Sequence, residues 1–247
     1  MGKKVIYVPT CHSTNLLAEQ VLADKGNYEG TVVITDHQTM GRGQFDREWE
    51  TEPGKNLTLS VILKPSFLHL ESQFLLNMFS SLAVKKTVSF FAGYSEIKWP
   101  NDILINNRKI SGILIKNVLK GKTITNSILG IGLNVNQEKF TNENAASLRG
   151  MTRKQHDLSV VFSSLMENLE SYYLKLRESK CKALENEYHN SLFGLEKEIH
   201  FESEGEFKGI IKGVDKKGQL IVEVSGKNQK FNLNQIKIHS KGWLGEK

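Results

Sequence analysis

The sequence is poor in the residues that build metal sites and disulfides. It holds only two cysteines, Cys11 and Cys181, far apart and outside any metal-ligand pattern. Two reduced thiols are the simplest reading. The seven histidines are scattered, without the paired helical spacing of a zinc site. No apolar run approaches the ~20 residues that span a bilayer. The opening MGKKVIYVPT has neither the apolar core nor the small-residue cleavage site of a secretion signal. Ile6 stands where a myristoylated chain carries Ser or Thr. There is no solenoid repeat and no low-complexity linker. These absences predict a cytoplasmic protein with no membrane partner.

The chain has 247 residues, 39% hydrophobic and 24% charged. That is enough for a substantial core, in one large domain or in one domain plus a small one. The net charge is +6 and the pI about 9.1. Such a balance suits nucleic acid, an enzyme that handles anions, or an acidic protein partner, and charge alone does not choose among them.

Strand patterns occur at Lys3–Val8, from Thr31 (TVVITDHQ), from Leu57 (LTLSVIL) and from Thr123 (TITNSILGIGL). IKWPNDILINNRKISGILIK, from Ile97, reads as two strands around the turn residues Asn106 and Asn107. Helical periodicity covers Leu16–Leu22, with Ser13 or Thr14 as N-cap, and Leu70–Phe91. Asp157 can cap a long helix that buries Val161, Leu165, Leu169, Tyr172 and Leu176. Near Gly194 the texture changes to short strands joined by tight turns, KKGQ and SGKN, which predicts a small barrel.

Four motifs can carry chemistry. In GRGQFDREW, Gly41 and Gly43 free the backbone to approach an anion, Arg42 and Arg47 can each clamp a phosphate or carboxylate, and Trp49 can cover a flat ring. A nucleotide offers both features, though a surface turn followed by a strand with a core tryptophan would read the same way. In KWPND, Pro100 drives Trp99 toward an extended backbone and so fixes Lys98 relative to Asp102. In RKISGIL, Lys109 opens a strand and Gly112 admits a close ligand. GIGLN places Gly130 and Gly132 around Ile131 and ends the strand at Asn134.

Taken in this order, the four motifs resemble the biotin–protein ligases, over a span from about Val5 to the end of the chain. The resemblance implies an α+β fold. Residues 1–193 would form a mixed-sheet catalytic domain of the biotin/lipoate ligase type, and residues 194–247 an SH3-like β-barrel. It implies that Ser13, Thr14, Asn15 and Gln38 contact the biotin head, that Gly41, Arg42 and Gly43 close over biotin and phosphate, and that Gly112 lines the biotin tail. Arg47 would hold phosphates, Trp49 would pack on adenine and Asn134 would lie near the adenylate. Gln44, on the nucleotide side, replaces a fourth basic residue found in some members. Lys109 would touch the carboxylate and α-phosphate oxygens, with Asp102 and Lys98 beside the reacting centre.

The implied reaction forms biotinyl-5'-AMP from biotin and ATP, with Mg2+ on the phosphates, then transfers biotin to a lysine of a biotin carboxyl carrier protein domain. No metal ligand is assigned to a protein side chain. Some members carry a helix-turn-helix repressor domain; this chain opens at the catalytic strand, so specific DNA binding is not expected. A homodimer is left open. The alternatives are a lipoate–protein ligase and, from another class, a nucleic-acid-binding module.

Overall fold

Strand-forming and amphipathic segments alternate through most of the chain, and they assemble as helices on a mixed sheet. The computed structural model describes residues 1–23, 28–44 and 47–239. Its first sheet contains β1 (Val5–Cys11), β2 (Val32–Gln38), β3 (Leu57–Leu63), β4 (Glu96–Lys98), β5 (Asp102–Ile105), β6 (Arg108–Lys120) and β7 (Thr123–Leu133). The strand order is β1-β2-β3-β7-β6-β5-β4. Only β1 and β2 run parallel. A parallel pair needs a crossover, and it contains helix α1 (Thr14–Ala23).

The turn at Asn106 and Asn107 joins β5 to β6, with φ values of 47° and 62° that suit a tight hairpin. The segment before that turn is not one strand but two. β4 and β5 form a separate hairpin around Trp99, Pro100 and Asn101, which sets Lys98 opposite Asp102. Proline lacks an N–H for a ladder, so the pairing breaks there. The Trp99–Pro100 peptide is cis.

Central strand β3 is buried along its whole length. On one face, Leu57, Leu59, Val61 and Leu63 join the main core. That core also takes in helices α2 (Phe74–Ala92) and α4 (Leu158–Arg177). Asp157 caps α4 by accepting from the Ser159 N–H, and all five apolar positions expected for its buried side are buried. The opposite face of the sheet is only partly covered. There Ala18 of α1 packs on Val33, Ile62 and Ile128, and α1 ends the apolar cover. Helices α3 (Leu148–Thr152) and α5 (Cys181–Asn190) escape the sequence patterns. In α5 only Leu184 and Tyr188 are buried, too sparse a stripe to stand out.

Beyond Gly194 come β8 (Glu198–Glu202), β9 (Glu206–Val214), β10 (Leu220–Val224), β11 (Lys227–Phe231) and β12 (Lys237–Ile238). They pair as an antiparallel sheet in the order β11-β10-β9-β8-β12. The expectation of a barrel is corrected to this extent: no ladder joins edge strands β11 and β12 among the described residues. β12 has only two residues to pair, and residues 240–247 lie outside the described set. KKGQ and SGKN are turns, with positive φ at Gly218 and at Ser225 and Gly226.

The two sheets are joined beside the KWPND turn. The Trp99 indole N–H donates to the Gly218 carbonyl at 3.0 Å. The hydroxyl of fully buried Tyr188, on α5, donates to the Pro100 carbonyl at 2.6 Å. Tyr188→Phe strands that buried carbonyl and is expected to cost about 1–3 kcal/mol, read as a lower midpoint in urea unfolding. An unchanged midpoint would show that this bond does not support the turn.

Candidate functional site

Where α1 stops covering the sheet, a cleft of about 410 Å3 opens. Cross-strand partners share a face, so the register defines its floor. One row runs Ser60–Gly130–Leu114 across β3, β7 and β6, and the next runs Thr58–Gly132–Gly112. The glycines make this floor possible. A Cβ on Gly130 would lie 2.4 Å from the Asn15 Oδ1, and one on Gly132 would lie 2.3 Å from the Trp49 indole. A Cβ on Gly112 would crowd both Trp49 and the Lys109 stem at 3.1 Å.

The first turn of α1 lines one end of the cleft through Ser13, Thr14 and Asn15. Thr14 is no helix cap; its N–H and hydroxyl both donate to Gln38 Oε1, at 2.8 and 3.1 Å. The buried Ser60 hydroxyl donates to Asn15 Oδ1 at 2.6 Å and lies 2.7 Å from Thr14 Oγ1. These bonds hold a compact group of hydroxyls and amides against the glycine floor.

At the other end, Lys109 is the second residue of β6. Its backbone is held on the outer side, where its N–H donates to Asn144 O and its carbonyl accepts from the Ala146 N–H. A register shift between β5 and β6 follows, at Ile103 and Leu104. The Lys109 ammonium pairs with Asp102 Oδ1 at 2.6 Å. Lys98 faces the same carboxylate from β4. Burial pushes the Lys98 ammonium below the usual lysine range; Asp102 opposes that fall, and Lys109, Arg47 and Lys237 deepen it. Among the described residues, five basic side chains line the cleft, Arg42, Arg47, Lys98, Lys109 and Lys237, against two acidic ones, Glu48 and Asp102. The field favours an anion.

The Gly-Arg-Gly segment covers the cleft as a narrow loop. Its neck is closed by the Trp49 N–H donating to Gly41 O at 3.0 Å and the Gly43 N–H donating to Arg47 O at 2.7 Å. Arg42, Gly43, Gln44 and Arg47 line the cleft; Phe45 and Asp46 lie outside the described residues. The Trp49 indole rests on the floor glycines, with the Lys109 ammonium 5.6 Å from its ring centroid. Immediately after it, Glu50 accepts from the Thr141 N–H at 3.0 Å. Gln137 Oε1 accepts from the Glu52 N–H and from Asn56. The trailing side of the loop is thereby tied to the segment after β7.

Two expected site residues do not line the cleft. Gly41 is buried behind it, where a Cβ would come 2.8 Å from the Gln38 amide nitrogen. Asn134 turns away from it, and its amide donates to Ala146 O at 3.0 Å. The sequence reading in turn missed Thr58 and Ser60, whose strand reads as plain core. It also missed Leu233, Ile236, Lys237 and Ile238, which bring the second sheet to the rim. No group of three or more His, Cys, Asp or Glu side chains among the described residues could hold a metal ion, and no described helix is long and apolar enough to cross a membrane.

This fold recurs in known structures. A biotin protein ligase from Aquifex aeolicus, solved with biotin and ATP, superposes with a TM-score of 0.79 at 24% identity, covering 96% of this chain and 99% of that one. A sequence model described as the biotin/lipoate A/B protein ligase family matches residues 7–134, and the chain belongs to that family. The bifunctional ligase/repressor BirA of Bacillus spizizenii is 31% identical over 245 residues, covering 96% of this chain and 75% of that protein. A biotin–[acetyl-CoA-carboxylase] ligase of Mycobacterium tuberculosis is 28% identical over 222 residues, covering 87% and 81%.

The charge arrangement has a measurable consequence. Lys98 should lose its proton at a lower pH than a free lysine, because burial disfavours the ammonium. Asp102 raises that value, so Asp102→Asn should lower it further. Side-chain NMR titration of labelled lysine checks both directions; a Lys98 that titrates like a free lysine would contradict the burial argument.

Proposed function

We propose that this chain is an ATP-dependent biotin–protein ligase: it forms biotinyl-5'-AMP and passes biotin to a lysine of a biotin carboxyl carrier protein domain. The observation that carries the reading is the polarity of the cleft. A cluster of neutral hydrogen-bonding groups, Thr14, Asn15, Gln38 and Ser60, stands at one end, and the Lys109–Asp102 pair at the other. Biotin has the same layout, a neutral ureido head joined by an apolar tail to a carboxylate. Ser13 belongs with the head group. Lipoate is the weaker fit, since its dithiolane cannot use a cluster of hydroxyls and amides.

In the first step a biotin carboxylate oxygen attacks the α-phosphorus of ATP and pyrophosphate leaves. Two anions must meet, and Arg42, Arg47, Lys98 and Lys109 offset their repulsion in a partly buried site. Lys109 serves both the carboxylate and the α-phosphate, with Gly112 giving it room. Gln44 and Trp49 complete the nucleotide side, the indole offering a purine the face turned away from the glycines. Gly41, Gly43 and Asn134 support this surface from behind or beside it. Triphosphate oxygens, rather than protein side chains, would hold Mg2+, which would supply neutralisation of phosphate charge there.

In the second step the acceptor lysine amine attacks the anhydride carbonyl and AMP leaves. The amine must first lose a proton, since an unperturbed lysine is neutral only ~0.1% of the time at pH 7. Asp102 is engaged by Lys109, which supports an orienting role over that of a free base. Residues 1–193 then form the catalytic unit. The sheet after Gly194 completes the rim as a second, small domain.

ATP–pyrophosphate exchange tests the reading. Biotin should support exchange and lipoate should not; exchange with lipoate alone would reverse the assignment. Lys109→Ala should reduce exchange by more than ~100-fold, the scale of losing one charge donor in the transition state. Near-normal exchange in that variant would remove Lys109 from the centre.

A further inference from the structure

We propose that Thr58 is a specificity-determining residue of the cleft: its buried hydroxyl donates to an acceptor atom in the ring of the bound small molecule, which for biotin is the thioether sulfur. Naming the sulfur rests on the proposed function.

Three hydroxyls stand close together on this face of β2 and β3. Thr35 donates to backbone carbonyls of Pro9 and His37, and Ser60 is committed to Asn15 and Thr14. Thr58 is 3% exposed, lines the cleft, and its Oγ1 has no hydrogen-bond partner among the described residues. Six other buried side-chain atoms share that condition, and among them only Trp49 Nε1 belongs to a cleft-lining residue. The two flank one spot. Thr58 is the cross-strand partner of Gly132, and the indole nitrogen would lie 2.6 Å from a Cβ on Gly132. An unpartnered hydroxyl in a buried position is costly, and valine would fill the same strand position without that cost. The position is explained if something entering the cleft completes the bond.

The register says which part of a ligand arrives there. Along the strands, the Ser60 row lies beside the head-group cluster, the Thr58 row comes next, and Lys109 follows. Successive rows are about 7 Å apart. A ligand that spans from the cluster to Lys109 crosses Thr58 with the part just past its head. In biotin that part is the sulfur-bearing ring, and a thioether sulfur is a weak acceptor.

Calorimetric titration of wild type, Thr58→Val and Thr58→Ser with biotin and with desthiobiotin, which lacks the sulfur, tests this. Thr58→Val should weaken biotin about 5-fold, the worth of one modest hydrogen bond, and leave desthiobiotin unchanged. Thr58→Ser should stay within about 2-fold of wild type for both. Without ligand, Thr58→Val should melt no lower than wild type, since it removes an unpartnered polar group. If valine disturbs the strand, Thr58→Ala makes the same comparison, with serine as its hydroxyl-bearing control. Equal weakening of both ligands, or none, overturns the inference and leaves the biotin reading standing. A wild-type protein that binds neither ligand overturns the biotin reading, and this inference with it.

Discussion

The site depends on an absence of atoms. Three glycines, at 112, 130 and 132, lie in two adjacent rows where a helix no longer covers the sheet. Each lets a functional side chain lie directly against the backbone: Lys109 and Trp49 at Gly112, Asn15 at Gly130, and Trp49 again at Gly132. In a close-packed interior even one Cβ there would push that group away. The bare face is possible because the hydrophobic core lies on the opposite one, where Leu57, Leu59, Val61 and Leu63 join the helices. The strands can be stripped on one side because they are anchored on the other.

Around that floor the polar groups divide the work by charge. The α1 end is neutral and its hydrogen bonds are largely satisfied internally, so it can read shape and donor pattern. The β5–β6 end is ionic, with a cation pairing a carboxylate at contact distance while a second cation is half-buried beside them. Burial that disfavours one ammonium also strengthens the field any anion would meet. Recognition and charge neutralisation therefore occupy opposite ends of one cleft.

Much of this was legible in the sequence. Asp157 announced α4, the Asn106–Asn107 pair announced a hairpin, and the four motifs, taken in order, brought most of the cleft residues together. What stayed hidden depends on register. Thr58 and Ser60 lie in a strand of β-branched and apolar residues, and only their cross-strand glycine partners reveal that this face is open. Asn134 reads like a site residue because it ends a glycine-rich strand, yet its side chain serves the adjoining loop. The rim residues of β12 come from the far end of the chain, and no local pattern connects them to a cleft built by β3, β6 and β7.

The two tight turns of the second sheet look interchangeable on paper, each with a glycine and a lysine. They are mechanically different. The turn between β10 and β11 has open space around Gly226. The turn between β9 and β10 is a joint: its Gly218 carbonyl accepts from Trp99, and a Cβ on Gly218 would lie 2.3 Å from the Phe74 ring. Insertions and substitutions can accumulate in the first without reaching the cleft. In the second, one added methyl would press on the Phe74 ring of α2 and shift the carbonyl that holds the Trp99 indole next to Lys98, so that distant hairpin is constrained by the packing of the first sheet.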